Sequence, residues 1–232
     1  MPTDAQSHPA DVSEQTFLLT VRGKVVPASL DETRTLHNAT AGAPPSVAGA
    51  RALGDLSHNV YTGRGEELAG ELLFIDFWNS LSGLGQFFAN PQVEEAAGQL
   101  FSARDAVVWA GALGFGDVHL AVPSGRAAGG VGILRTEVTS MEKAADAFRA
   151  YAANTINEAR SHGIVNHSVW TRVPSPGQEP AAEVIAIDVW IDADEMGRYY
   201  ELGLGFEHLG PVFAGQPDTS TWQSAAGDWT EW

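Results

Sequence analysis

Two short motifs, each present twice, carry residue types suited to proton transfer. Residues 58–62 read His-Asn-Val-Tyr-Thr and residues 167–171 read His-Ser-Val-Trp-Thr, so His-x-Val-aromatic-Thr recurs at an offset of 109. Ile-Asp-x-Trp stands at 75–78 and again at 187–190, an offset of 112. The register continues ungapped through Gly85/Gly197, Phe87/Tyr199 and Phe88/Tyr200, and Asp105-x-x-x-Trp109 matches Asp218-x-x-x-Trp222 at offset 113. Each copy thus offers one His and one Asp. A carboxylate on one ring nitrogen fixes the imidazole tautomer and stabilises the imidazolium, which leaves the other nitrogen as a general base for a phenol or an enolisable carbon.

The spacing predicts that these pairs meet. Residues equidistant from a hairpin turn face each other on one side of the sheet. The midpoint of His58 and Asp76 falls at 67, inside the turn GRGEELAG, and that of His167 and Asp188 at 177.5, inside PSPGQEP. Both histidines are therefore expected opposite, or nearly opposite, an aspartate. The alternative for the duplicated pair is a structural cross-strand hydrogen bond. A metal site from His58, Asp76, His167 and Asp188 would need the two copies to share one ion, and no metal is expected.

The elements that must position these residues repeat as well. Thr16–Val26 and Gly132–Val138 read as strands, followed by the capping boxes Ser29-x-x-Glu32 and Thr139-x-x-Glu142. The second box opens a helix through Ala145, Phe148, Tyr151 and Ala152. Hairpins 56–62 with 71–78 and 165–171 with 183–190 follow, then helices from Ser80 and Asp192, then strands near Val107–Trp109 and Thr221–Gln223. Each copy is β-α-β-β-α-β. The fold class is α+β: two tandem ferredoxin-like units, 16–112 and 130–232, packed sheet to sheet as an intramolecular barrel, because each unit leaves one sheet face bare. Residues 1–15 read as a flexible arm and 113–129 as a linker. The glycine-rich run 125–132 precedes a strand, which argues against a phosphate loop. The aromatic C-terminal tail, Trp222, Trp229 and Trp232, is expected to fold back onto the body, a partner-binding patch being the other reading.

In this scheme alternation puts Phe74, Asp76 and Trp78 on one face and Leu73, Ile75 and Phe77 on the other. The wholly apolar set is expected under the helices, leaving Asp and Trp toward the barrel interior. Trp78, Trp170 and Trp190 are candidate stacking walls. The copies differ at Phe74/Ala186 and Phe87/Tyr199. A lost phenyl opens space and a gained phenol adds a polar handle, so the second copy is expected to hold the working pocket. His8, His37, His119, His162 and His208 have no repeated partner and are expected to be solvated or locally bonded.

Composition narrows the function classes. There are 13 Lys plus Arg against 29 Asp plus Glu, a formal charge of −16, so nucleic acid and anionic membrane surfaces are not expected partners. With no cysteine there is no disulfide, thiolate nucleophile or iron–sulfur cluster. The start MPTDAQSHPADVSEQ lacks the basic and apolar regions of a signal peptide, and a cytoplasmic protein is expected.

The stretch Leu56–Leu100 resembles the antibiotic biosynthesis monooxygenase family of the dimeric α+β barrel superfamily: a hairpin, an acid-x-Trp strand, then a helix followed by Asn90-Pro91. Asp76-Phe77-Trp78 and Asp188-Val189-Trp190 stand where the family usually has Glu-x-Trp, and both repeats follow its strand order. The resemblance implies oxygenases of phenols and quinols that need no cofactor, haem-degrading enzymes, cyclases and isomerases. The helix histidine that ligates iron in the haem-degrading branch is Phe87 in one copy and Tyr199 in the other, which speaks against haem. The combined expectation is a cofactor-independent monooxygenase of a phenolic or polycyclic aromatic substrate, using dioxygen. His167, Asp188 and Tyr199 are its catalytic candidates, and Trp190, Trp170, Ala186, His58, Asp76 and Trp78 its substrate contacts. A cyclase or isomerase with the same base, or a non-catalytic binding barrel, is the alternative. A monomer or weak homodimer is expected, since the chain carries its own partner.

Overall fold

The computed structural model describes residues 15–123, 126–175, 177, 179 and 181–232. The expected arm, with His8, lies outside these except for Gln15. The first half contains β1 (Phe17–Val25), α1 (Leu30–Ala39), α2 (Pro44–Ala52), β2 (Asp55–Gly63), β3 (Glu71–Trp78), α3 (Leu81–Phe88), α4 (Pro91–Leu100) and β4 (Phe101–Gly111). After β5 (Val118–His119) come β6 (Gly130–Glu137), α5 (Met141–Ser161), β7 (Ile164–Arg172), β8 (Glu183–Trp190), α6 (Ala193–Glu201), α7 (Phe206–Leu209) and β9 (Asp218–Ser224).

Local chemistry starts these helices. Ser29 Oγ accepts from the Glu32 amide while Glu32 reaches back to the Ala28 amide, a working capping box. Ser80 and Asp192 cap α3 and α6 as expected. The second box is shifted by one residue: Ser140, not Thr139, caps α5, because Thr139 is held to the Val212 carbonyl through both its amide and its hydroxyl. The additional helices α2 and α4 open on Pro44 and Pro91, whose fixed φ suits a first turn.

The strand order is β4-β1-β3-β2-β9-β6-β8-β7-β5, with β4 also paired to β7. Each half thus has the same internal order, and the β2–β9 and β4–β7 seams close the two sheets into one barrel. The stretch read as a linker is more than a tether, since β5 adds to the edge of β7 at His167.

The sidedness of the sheets reverses the expectation. Leu73, Ile75, Ile185 and Ile187 join Leu18, Trp109, Val131 and Trp222 in one core cluster drawn from both halves, which is the barrel interior. Phe74 and Trp78 instead pack with residues of the helices, as do Ala186 and Trp190. The physical reason is polarity. The interior's polar groups are already paired among themselves, Trp109 with Thr20 and Trp222 with Ser220, so it takes the wholly apolar set, whereas the helical layer supplies partners to the dyads, His37 to His58 and Tyr200 to Asp188.

Candidate active site

The register pairs His58 with Asp76 and His167 with Asp188, as the hairpin midpoints require. His58 Nδ1–H donates to Asp76 Oδ1 at 2.7 Å, and His167 Nδ1–H donates to Asp188 Oδ1 at 2.6 Å. All four residues are buried. The two dyads sit in different surroundings, and those surroundings decide what each can do.

The first dyad is closed over by the chain itself. His37 on α1 is completely buried, not solvated, and its Nε2 lies 3.0 Å from His58 Nε2 with the two rings stacked 5.2 Å apart. Asn38 Oδ1 accepts from the Thr230 amide and its Nδ2 donates to the Asp228 carbonyl, which fixes the amide orientation. His37 Nδ1–H must then donate to Asn38 Oδ1, so a neutral His37 presents a lone pair at Nε2 and His58 must supply the proton between them. His58 therefore carries protons on both nitrogens. The ionisation preferences agree: burial, reinforced by the charge on His58, drives His37 down to about 4. At His58, burial opposes charge, but Asp76, Asp55 and Glu231 outweigh it and the shift is upward. Phe74 packs at 4.9 Å from His58, and Trp232 stacks on it at 4.7 Å. The tail does fold back: His58 and Trp232 exchange both backbone hydrogen bonds, and Trp229 is buried against His37.

The second dyad borders a cavity of about 320 Å³, within the range of small-molecule sites. β6 (Gly132, Ile133, Leu134), β8 (Ala186, Asp188), His167 of β7 and Thr219, Ser220 and Thr221 of β9 form its floor; α5 gives Phe148 and Tyr151, α6 Tyr200, and α7 Phe206 and Leu209. Glu67 reaches it from the first half. Among the described residues no lysine or arginine lines it. Where His37 covers His58, the corresponding side chain on α5 is Phe148, which cannot hydrogen-bond; its ring lies 6.5 Å from His167. His167 Nε2 consequently has no hydrogen-bond partner among the described residues, although close packing shields it from solvent. Burial again works against charge on this ring, and Asp188 with Asp117 outweighs it, so the shift is upward.

The remaining expected site residues divide. Ala186 lines the cavity where Phe74 fills the first half, as expected. Trp190 is fully buried core, packed on Tyr199 at 4.9 Å, and Trp78 is its counterpart against Phe87. Trp170 lies on the interior face beside Phe77 and donates to Ser168 Oγ. None of the three tryptophans lines the cavity, because the reversed sidedness and the helix packing take them elsewhere. Tyr199 is 3% exposed and borders a void of about 10 Å³ that it shares with His167 and Asp188, not the larger cavity. Of the two adjacent α6 tyrosines, the one on the larger cavity is Tyr200. The repeat register had marked this position as Phe88/Tyr200, so the signal was present.

Sequence comparison also missed a crossed pair of staples. Asp117 Oδ1 accepts from the Val169 amide, and Glu231 Oε1 accepts from the Val60 amide, each acid coming from the segment that follows the other half's last strand. Asp117 and Glu231 are 114 residues apart, so the repeat extends to these segments.

The helix positions that the resemblance links to iron do not fit a haem. Phe87 has no donor atom, and the Tyr199 phenol faces a void too small for more than a water. Among the described residues no group of three or more His, Cys, Asp or Glu is placed to hold a metal ion. No described helix is long and apolar enough to cross a membrane.

No family model and no curated protein matches the sequence. Solved structures do match over nearly the whole chain. An anthrone oxidase-like protein aligns with 16% identity and a TM-score of 0.64, covering 93% of each chain. A candidate monooxygenase from Fusobacterium nucleatum subsp. nucleatum aligns at 11% identity and TM-score 0.60, covering 91% of this chain and 93% of that one. A candidate monooxygenase from Lactobacillus acidophilus aligns at 9% and 0.58, covering 92% and 97%. The chain shares their fold, here a dimeric-type α+β barrel with both sheets carried on one polypeptide.

Proposed function

We propose that the protein is a monooxygenase-like enzyme that oxidises a phenolic or polycyclic aromatic substrate in the cavity of its second half, with His167 as general base and Asp188 as its orienting partner. One observation carries this reading: of the two dyads at equivalent register, only His167 has an unpaired Nε2 beside a cavity of ligand size, whereas the corresponding nitrogen of His58 is taken by His37. The anthrone oxidase-like and monooxygenase-named neighbours support the same class, and an anthrone-type tricyclic is the natural first substrate to test.

The chemistry balances without a reductant. Substrate enters against the apolar wall of Phe148, Phe206 and Leu209, and a small shift of Phe148 or Tyr151 admits its acidic proton to Nε2. His167 accepts the proton from a methylene flanked by phenolic rings, and the carbanion gives its electrons to dioxygen to form a carbon–oxygen bond. The imidazolium returns its proton to the outer peroxide oxygen; the hydroperoxide then gives up its remaining C–H proton as the O–O bond breaks, so the methylene becomes a carbonyl, one oxygen atom is retained and the other leaves with the two protons as water. The absence of lysine and arginine from the lining suits an uncharged substrate.

Oxygen uptake with a hydroxyanthrone, alongside product analysis, tests the reading. His167→Ala should lower turnover by about 10²–10⁴-fold, the range for a positioned base, while His58→Ala changes it little beyond any loss of fold. Turnover without oxygen uptake would move the assignment to a cyclase or isomerase, and equal loss in both variants would remove His167 from its role.

A further inference from the structure

The second dyad has a third member. Asp188 Oδ1 accepts from His167, and Asp188 Oδ2 accepts from the Tyr200 hydroxyl at 2.8 Å, so both oxygens of one buried carboxylate are clamped from opposite elements, β7 and α6. Tyr200 reaches this position across Gly132, the residue directly opposite Asp188 on β6. A Cβ placed on Gly132 would stand 1.9 Å from the Tyr200 hydroxyl, so any larger residue there would push the phenol away.

The first half shows what happens without this arrangement. Leu19 is the residue opposite Asp76 on β1, and Phe88 occupies the position of Tyr200 in the repeat register. Both belong to one apolar cluster, and among the described residues the side-chain partner of Asp76 is His58, not a tyrosine. The glycine and the tyrosine therefore occur together in the half that has a cavity, and both are replaced in the half whose dyad is closed.

We propose that Tyr200 is a positioning residue for His167: by holding Asp188 Oδ2 it turns Oδ1 toward the ring and keeps the proton on Nδ1, and Gly132 is the position that admits it. This rests on the reading of His167 as the base, but it concerns the resting protein and is tested there. The ionisable groups that face the pair are Tyr151 from α5, Tyr199 and Tyr200 from α6, Asp117 beside β5 and Glu67 at the cavity. A hydroxyl donating to the carboxylate draws charge from Oδ1, so its removal leaves Asp188 holding the imidazolium more strongly.

The experiment is a pH titration of the histidine ring resonances of the full chain by ¹⁵N-edited NMR, with His167 assigned by its loss in His167→Gln. Tyr200→Phe keeps the ring that packs on Trp190 and should raise the His167 midpoint by about 0.5–1 unit. Gly132→Ala should do the same while leaving the hydroxyl in the sequence, and Tyr199→Phe should leave the midpoint unchanged. If Gly132→Ala does not fold, Tyr200→Phe alone decides. An unchanged midpoint in Tyr200→Phe, or an equal shift in Tyr199→Phe, overturns the proposal. Because no substrate is used, a failure to find turnover would bear on the proposed reaction and not on this clamp.

Discussion

Ala186→Phe should make the protein more stable and less able to bind ligand. Position 186 lies in the register of Phe74, whose phenyl packs 4.9 Å from His58 and 5.5 Å from His37 and leaves that half filled. The same ring at 186 would project into the 320 Å³ space beside His167. Burying a phenylalanine side chain in existing space gains up to about 3 kcal/mol. The neighbours Phe148, Tyr151 and Leu209 sit where they do without that ring, and fitting it in takes back about 1–3 kcal/mol. A net gain of up to about 2 kcal/mol remains, which for a chain of this size raises Tm by up to about 8 °C. Binding should fall by more than about tenfold, since the ring removes the space a flat substrate needs. Thermal unfolding followed by circular dichroism gives the first quantity, and fluorescence titration with a hydroxyanthrone gives the second. A variant that binds as well as the wild type would refute the assignment of this cavity as the ligand site. A variant destabilised by more than about 2 kcal/mol would show that the space is not available to a side chain at all.

Turnover should rise with pH through a midpoint above 6.5, because the base must be neutral and His167 is shifted upward; Asp188→Asn should move that midpoint down. Stability runs the other way in this window, since the extra proton affinity of folded His58 and His167 stabilises fully below their unfolded pKa of about 6.5 and is lost as pH rises through the folded values. Buried neutral His37 adds an acid limb, its stabilisation falling as pH drops from about 6.5 through about 4, and urea unfolding from pH 4 to 9 would show both limbs. The purified protein should show no Soret band; one that disappears in Tyr199→Phe would overturn the reading of the helix positions. Light scattering should report a monomer, because each half already covers the other's sheet, and a tight dimer would call for a further interface.

Much of the fold was written in the sequence, because its carriers are local or periodic. Alternation defined the strands, Ser29, Ser80 and Asp192 marked helix starts, and the hairpin midpoints placed each histidine opposite its aspartate, since pairing in a hairpin is set by counting from the turn. Register also exposed the change from Phe74 to Ala186, which does correspond to open space. Other features depended on what lies across space. Alternation separates two faces but does not say which one meets the other sheet, and here the decision fell to polarity: the seam took Leu73, Ile75, Ile185 and Ile187, and the helical layer took the dyads. The counterpart of His37 in the repeat is Phe148, not a histidine, so nothing local announced that His37 would cap His58 and fix its charge. Tyr200 was chosen over Tyr199 by the rotation of one helix over Gly132, a matter of ångströms between neighbours in sequence. The sequence by itself determined which residues could form a base; tertiary packing alone decided which of the two bases is left with a free nitrogen, because that depends on whether histidine or phenylalanine arrives from the overlying helix.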